Sequence, residues 1–381
     1  MARIVFGSYM VRYPLGGMLS WALQYLLGMK ALGHDVYLVE KSGYDRACYN
    51  PVARELSNDC RYGIGVVSEL LERFGLGGRW CFVDEAGDFY GLGRTAVDEL
   101  FETADLFIDS GSHGSWAREA ERSGLRVLID GEPGYTQIKW ANRLAEGTPI
   151  PEYDRYFTNG KNIGAPGNPV PTLGITWEYV YSPVDTSVFT PAPSDAASPY
   201  STVMNWQSHA PIAYNGCQYG QKDIEFQKFM ALPADLGHPM EVAVSGDAVP
   251  VGELERNGWT IEDAHQVTMS FDSFRRYLSR CRGEFSVCKN VFVALRTGWF
   301  SDKSAAYLAS GRPVVLQDTG FSRHLPVGEG LFACDTAQDA RSAILAIEAD
   351  YAFHSRRARE IACEHLEART VMKAFLAALG L

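Results

Sequence analysis

Nothing in the 381-residue chain pairs its cysteines. The eight thiols (Cys48, Cys60, Cys81, Cys217, Cys281, Cys288, Cys334, Cys363) lie far apart, with no C-x-x-C and no histidine at metal-finger spacing. They read as scattered thiols of a reducing compartment, which excludes a disulfide frame and a zinc finger. Long apolar runs are also missing, and none approaches the ~20 residues of a spanning helix. The opening Met1-Ala2-Arg3-Ile4-Val5-Phe6 lacks the basic, apolar, small-residue order of a secretory signal, so a cytoplasmic location is the default expectation. Positive charge is in deficit: Lys plus Arg number 35 against 46 Asp plus Glu, a formal net charge of −11. That excludes a coat of basic residues for nucleic acid or anionic lipid, though not a local anion site. The dinucleotide glycine fingerprint is absent as well. Gly63-Ile64-Gly65 supplies half of it, with no suitable strand before and no third glycine, which disfavours a nicotinamide dehydrogenase.

What is present is an ordinary globular composition, 46% hydrophobic and 21% charged, long enough for two large domains at ~150 residues each. The pattern alternates strand and helix. Arg3–Phe6 is a strand, Met18–Leu32 a helix with apolar residues at helical spacing, and Val36–Glu40 a strand, which predicts a parallel β–α–β unit. The alternation continues through a helix over 65–74, strands over 80–83 and 106–109, a helix over 115–123, and strands over 126–130 and 154–158. Residues 183–201, with four prolines among Ser, Ala, Asp and Thr, have the composition of a linker and hinge. Beyond them the pattern restarts, with helices expected over 222–232, 271–281, 301–309, 337–350 and most of 351–381. The expected fold is α/β with two doubly wound, Rossmann-like domains facing across a cleft: an N-terminal domain over 1–190, a C-terminal domain over 191–365, and a last helix over 366–381 packing back on the first.

In such sheets ligands bind beyond the carboxyl ends of the strands, so candidate residues follow each strand. Gly16 and Gly17 precede a helix and either admit a ligand close to the backbone or merely make a turn. His113 lies in a Gly/Ser-rich loop four residues after Asp109. It is either a general base or sugar contact oriented by that carboxylate, or a loop residue capping the next helix. Asp130 and Glu132 flank a glycine and either grip sugar hydroxyls or act as capping and solvated acids. In the second half Lys222, Lys289, Arg296 and Lys303 cluster near strand ends, where cations would offset a diphosphate. Ser301-Asp302-Lys303-Ser304 opens a small-residue helix whose first amides are a place for phosphate or sugar oxygens.

Two stretches, Tyr13-Pro14-Leu15-Gly16-Gly17 with Leu32-Gly33-His34-Asp35-Val36, and Ala309-Ser310-Gly311-Arg312-Pro313-Val314-Val315 with Asp318-Thr319-Gly320, resemble the GT-B glycosyltransferases, in particular the glycogen synthase and sucrose-phosphate synthase-like group. The resemblance implies a nucleotide-diphosphate sugar as co-substrate, no cofactor, and metal-independent transfer to a small-molecule or glycan acceptor. Gly16 and Gly17 match the glycine loop, His113 resembles a histidine contacting the transferred sugar, and Lys222 matches a lysine on the donor diphosphate. The family's two glutamates, with seven residues between them, fall here on Gly298 and Ala306, and Asp302, Lys303 or Glu284 would have to serve instead. Retaining and inverting chemistry both stay open. An epimerase of the same fold and a non-catalytic two-domain binding protein are the alternatives.

Overall fold

The computed structural model describes residues 1–381, the side chain of Asp235 aside. Strands β1 (Arg3–Gly7), β2 (Asp35–Lys41), β3 (Trp80–Val83), β4 (Phe89–Gly91), β5 (Leu106–Asp109), β6 (Leu125–Asp130), β7 (Arg155–Thr158) and β8 (Trp177–Tyr179) make one sheet. Their spatial order is β8-β7-β6-β5-β1-β2-β3-β4. Only the β3–β4 pair is antiparallel. The apolar runs sit where a parallel sheet needs them: Ile4, Val5 and Phe6 of the central β1 are wholly buried, covered on both faces.

A second sheet holds β9 (Tyr200–Asn205), β10 (Met240–Ser245), β11 (Trp259–Asp263), β12 (Gly283–Ser286), β13 (Val314–Gln317) and β14 (Leu331–Cys334). All are parallel, in the order β11-β10-β9-β12-β13-β14. This is the doubly wound arrangement, and the strand order reverses between β1 and β5 in the first sheet and between β9 and β12 in the second. At the second reversal the strands part. β9 pairs with β12 only through Tyr200–Gly283 and Ser201–Glu284, so the sheet opens toward its carboxyl edge. Such an opening is where this fold takes ligands.

Among the helices that border the space between the sheets or bind the two halves together are α1 (Gly16–Ala31), α2 (Tyr135–Ala145), α3 (Lys222–Phe226), α4 (Phe271–Arg280), α5 (Asp302–Ala309), α6 (Tyr351–Ile361) and α7 (Ala368–Ala378). α1 joins the molecule together. A Cβ on Gly16 would stand 2.4 Å from the Ser270 carbonyl oxygen, and one on Gly28 would stand 2.6 Å from that of Ala368. So α4 of the second domain and α7 at the chain's end both lie against the first domain's α1. The proline-rich crossing is tied down as well. Val184 exchanges backbone hydrogen bonds with Leu366 and Ala368, both 2.9 Å, and the Arg359 guanidinium donates to the carbonyls of Thr186 and Phe189.

Several expected elements end differently. The helix over 115–123 shrinks to Ala117–Ala120. The one over 222–232 stops at Phe226 and continues as short 3-10 turns, the second with Pro233 inside it, where an α-helix would lose a hydrogen bond. The long terminal helix breaks at Glu367, whose backbone is extended at φ −54°, ψ 126°. Strands β4, β8, β11 and β14 lie outside the sequence expectation. Each sits at a sheet edge, where a strand has one neighbour instead of two.

Candidate active site

The carboxyl ends of the two sheets face each other, and named side chains meet across the gap. Glu132, just beyond β6, receives Lys289 Nζ on both oxygens at 2.5 and 2.7 Å. His209, in the loop after β9, stacks on Tyr135 at the start of α2 with ring centroids 5.0 Å apart, its Nε2 4.0 Å from Glu132. To one side, Gly160 bridges to Trp299, and the Asn162 amide donates to Thr297 O at 2.9 Å. To the other, Tyr49 meets His265 at 3.1 Å and Arg54 meets Asp263 at 2.6 Å. The gap between these ties is the candidate site.

Lys222, the first residue of α3, has no hydrogen-bond or ion-pair partner among the described residues. Burial pushes its ammonium down to about 8, and the neighbouring charges of Lys303 and Lys289 push the same way. A half-buried cation without a counter-ion is partly desolvated at a cost, and an anionic ligand would relieve it. Lys303 is placed otherwise. Its Nζ reaches into the parting of β9 and β12, 2.7 Å from Glu284 and 2.8 and 2.6 Å from the hydroxyls of Thr202 and Ser286. Glu284 is fully buried, with Oε1 taken by Lys303 and Ser286 and Oε2 left without a partner, and Lys303 is committed to protein groups inside the sheet. Arg296, expected in the same cluster, turns instead to Asp318 and Asp335.

The start of α5 also differs from expectation. Ser301 Oγ caps the helix by accepting from the Ser304 amide. The Asp302 carboxylate lies against the amides of Asp302 itself and Lys303, so the helix end is met by its own acid. Burial raises the Asp302 carboxyl above the usual range, opposed by that hydrogen bond and by the charges of Lys303 and Lys222. α5 packs against α1 of the first domain, which places it at the interface. Gly298 sits at φ +77°, and a Cβ there would meet the Asn162 amide nitrogen at 2.9 Å. The crossing loop therefore occupies the place where the resemblance expects a glutamate side chain. Ala306 is buried in the second domain's core.

On the first domain, the Asp109 carboxylate does not orient the His113 ring. It gathers the amides of Ser112, His113 and Gly114 at 2.9, 3.2 and 2.8 Å and accepts from Tyr153 Oη at 2.7 Å. This clasp folds the loop tightly, with His113 at φ +53°, and explains why the helix after it is short. Desolvation lowers the His113 imidazole below its usual value, against the pull of Asp109. Asp130 and Glu132 are not a pair. Asp130 is taken up by the Glu132 amide, the Thr136 and Thr158 hydroxyls and the Gln137 amide group, all at 2.6–2.9 Å. Gly16 and Gly17 form the first turn of α1 instead of a loop before it, and Gly16 is packed against α4.

The structure thus assembles Lys222, Lys289, Glu132, His113 and Asp302 around one gap, and holds Asp109, Asp130, Glu284, Lys303 and Ser301 in supporting roles. Tyr135 falls in the stretch after β6 where the strand-end rule directs attention, whereas His209 and Gln221, four and sixteen residues beyond the end of β9, fall outside it, although Gln221 adjoins Lys222 in sequence.

No protein-family model matches the chain, and no curated protein matches its sequence. Solved structures do. An alpha-glucosyltransferase in complex with UDP and a 13-mer DNA matches over 100% of both chains at 11% identity and a TM-score of 0.60. HepE of Anabaena, in complex with UDP and glucose, matches over 100% of both at 13% and 0.60. Sucrose-phosphate synthase from Thermosynechococcus elongatus matches over 99% of both at 12% and 0.54. With two Rossmann-like sheets in the same arrangement along its full length, the chain has the GT-B fold of these glycosyltransferases.

Proposed function

We propose that the protein transfers a sugar from a nucleotide-diphosphate sugar to a hydroxyl or amine of a glycan or small-molecule acceptor. The observation that carries this reading is Lys222, a half-buried and unpaired cation beside the opened switch point of a GT-B fold. The bond from the sugar's anomeric carbon to the diphosphate oxygen breaks, and one to the acceptor oxygen or nitrogen forms. Lys222 and Lys289 offset the charge gathering on the departing diphosphate, so the step needs no metal ion. His113, kept neutral by its surroundings, takes the acceptor's proton. The stacked His209–Tyr135 pair and the Glu132–Lys289 ion pair narrow the gap and exclude water that would hydrolyse the donor. The strongly acidic chain argues against a nucleic-acid acceptor.

The test is a thermal-shift screen across UDP-, GDP-, dTDP- and ADP-sugars, followed by calorimetry with the parent diphosphates. One nucleotide series is expected to stabilise the chain by mass action, and Lys222→Ala to abolish the shift. A flat response to all four, with Lys222→Ala indistinguishable from the parent chain, rules the reading out.

A further inference from the structure

Beside Lys222 lies a cavity of about 290 Å³ between the loop after β9 and the start of α3, lined in part by Gln207, Ser208, His209, Gly220, Gln221 and Asp223. Gln221 is 3% exposed, yet neither its amide nitrogen nor its amide oxygen has a hydrogen-bond partner. Asp223 Oδ2 accepts from Gln207 at 2.7 Å, but its Oδ1 is buried and unpartnered. Buried polar groups in native folds are nearly always paired, because leaving them unpaired destabilises the chain. Two residues of the cavity lining, one on each side of Lys222 in sequence, therefore carry one unused donor group and two unused acceptors, and Lys222 lacks a partner as well.

We infer that this cavity receives the hydroxyl groups of the transferred sugar, and that Gln221 and Asp223 determine which sugar is accepted. The inference rests on the donor reading above. Neighbouring hydroxyls both give and accept hydrogen bonds, so a monosaccharide can satisfy the Gln221 nitrogen, the Gln221 oxygen and Asp223 Oδ1 together. An apolar or purely anionic group satisfies only some of them. The sequence adjacency of Gln221 to Lys222 fits a sugar joined to the phosphate that Lys222 meets. A site built to hydrogen-bond a hydroxyl rejects analogues that cannot return the bond, so these atoms serve selection as well as affinity.

The experiment is calorimetry on the full chain, on Gln221→Leu and on Asp223→Asn. The probes are UDP, GDP, dTDP and ADP, and the glucose, galactose, mannose and N-acetylglucosamine derivatives of the one that binds. Thermal unfolding of each variant is followed in parallel. The parent chain is expected to bind one sugar derivative more tightly than its diphosphate. Both substitutions are expected to weaken that derivative about tenfold and leave the diphosphate within about twofold. Since the Gln221 amide is unpaired without ligand, Gln221→Leu is expected to keep or raise the melting temperature. Equal weakening of diphosphate and sugar derivative, no weakening of either, or a melting temperature lowered by several degrees in Gln221→Leu overturns the inference. A parent chain that binds none of the nucleotides removes the donor reading itself.

Discussion

Lys222 couples stability to binding. Its proton is held less tightly in the folded chain, at about 8, than in the unfolded one near 10.5. Below about pH 8 both states carry it and the folded state bears the full cost; between 8 and 10.5 the unfolded state binds more protons, so stability rises with pH. Lys222→Met is therefore expected to raise the melting temperature at pH 7, on the order of 2 °C, with the gain fading toward pH 10, as differential scanning calorimetry across pH would show. Diphosphate affinity of the parent chain should fall above pH 8, by up to about tenfold per pH unit, as the lysine discharges. Asp109 acts on its loop. Asp109→Ala strands three amides and Tyr153 Oη, and is expected to cost about 2–4 kcal/mol of unfolding free energy in denaturant titration. Residues of this kind show why the site was only partly legible. Asp109 and Asp130 stand where a catalytic acid would, and spacing cannot say whether a carboxylate turns outward to a ligand or inward to its own loop amides. Lys222 was legible because it opens a helix after a strand-end loop, whereas the commitment of Lys303 to Glu284 depends on the distance between two strands far apart in sequence.

Among the elements, α1 carries an unusual share of the assembly, since one edge meets α4 and another meets α7. Its glycines look in sequence like a loop signature, yet their place is set by helix contact: nothing larger than hydrogen fits at Gly16 or Gly28. Gly28→Ala should push α7 outward and destabilise the chain by about 1–3 kcal/mol, with limited proteolysis cutting first in the segment before α7. Inner strands were legible from apolar runs of three or four residues, as in Leu106–Asp109 and Trp80–Val83, whereas the equally apolar edge strand Leu331–Cys334 was not. Edge strands such as Trp177–Tyr179, only partly buried, gave no such run. The spatial order of strands was not legible either, because it is fixed by crossovers and not by any one segment.

For the whole molecule, the Glu132–Lys289 pair is the contact to break. It spans the gap, and it holds a lysine that a diphosphate would compete for. Glu132→Gln is expected to widen the mean separation of the domains, seen as a larger radius of gyration by small-angle X-ray scattering. Diphosphate should bind about two- to fivefold more tightly in calorimetry, because Lys289 no longer has to leave a partner. Glu132 keeps 37% of its side-chain surface exposed, so salt screens the pair and the effect should shrink in high salt.

The seat of α7 on α1 has a consequence for birth of the protein. A ribosome delivers residues 16–31 early and residues 368–378 more than three hundred residues later, so the surface around Gly28 stays bare throughout translation. The first sheet can form while the chain is still growing, but its outer covering arrives only once residues 368–378 have left the exit tunnel.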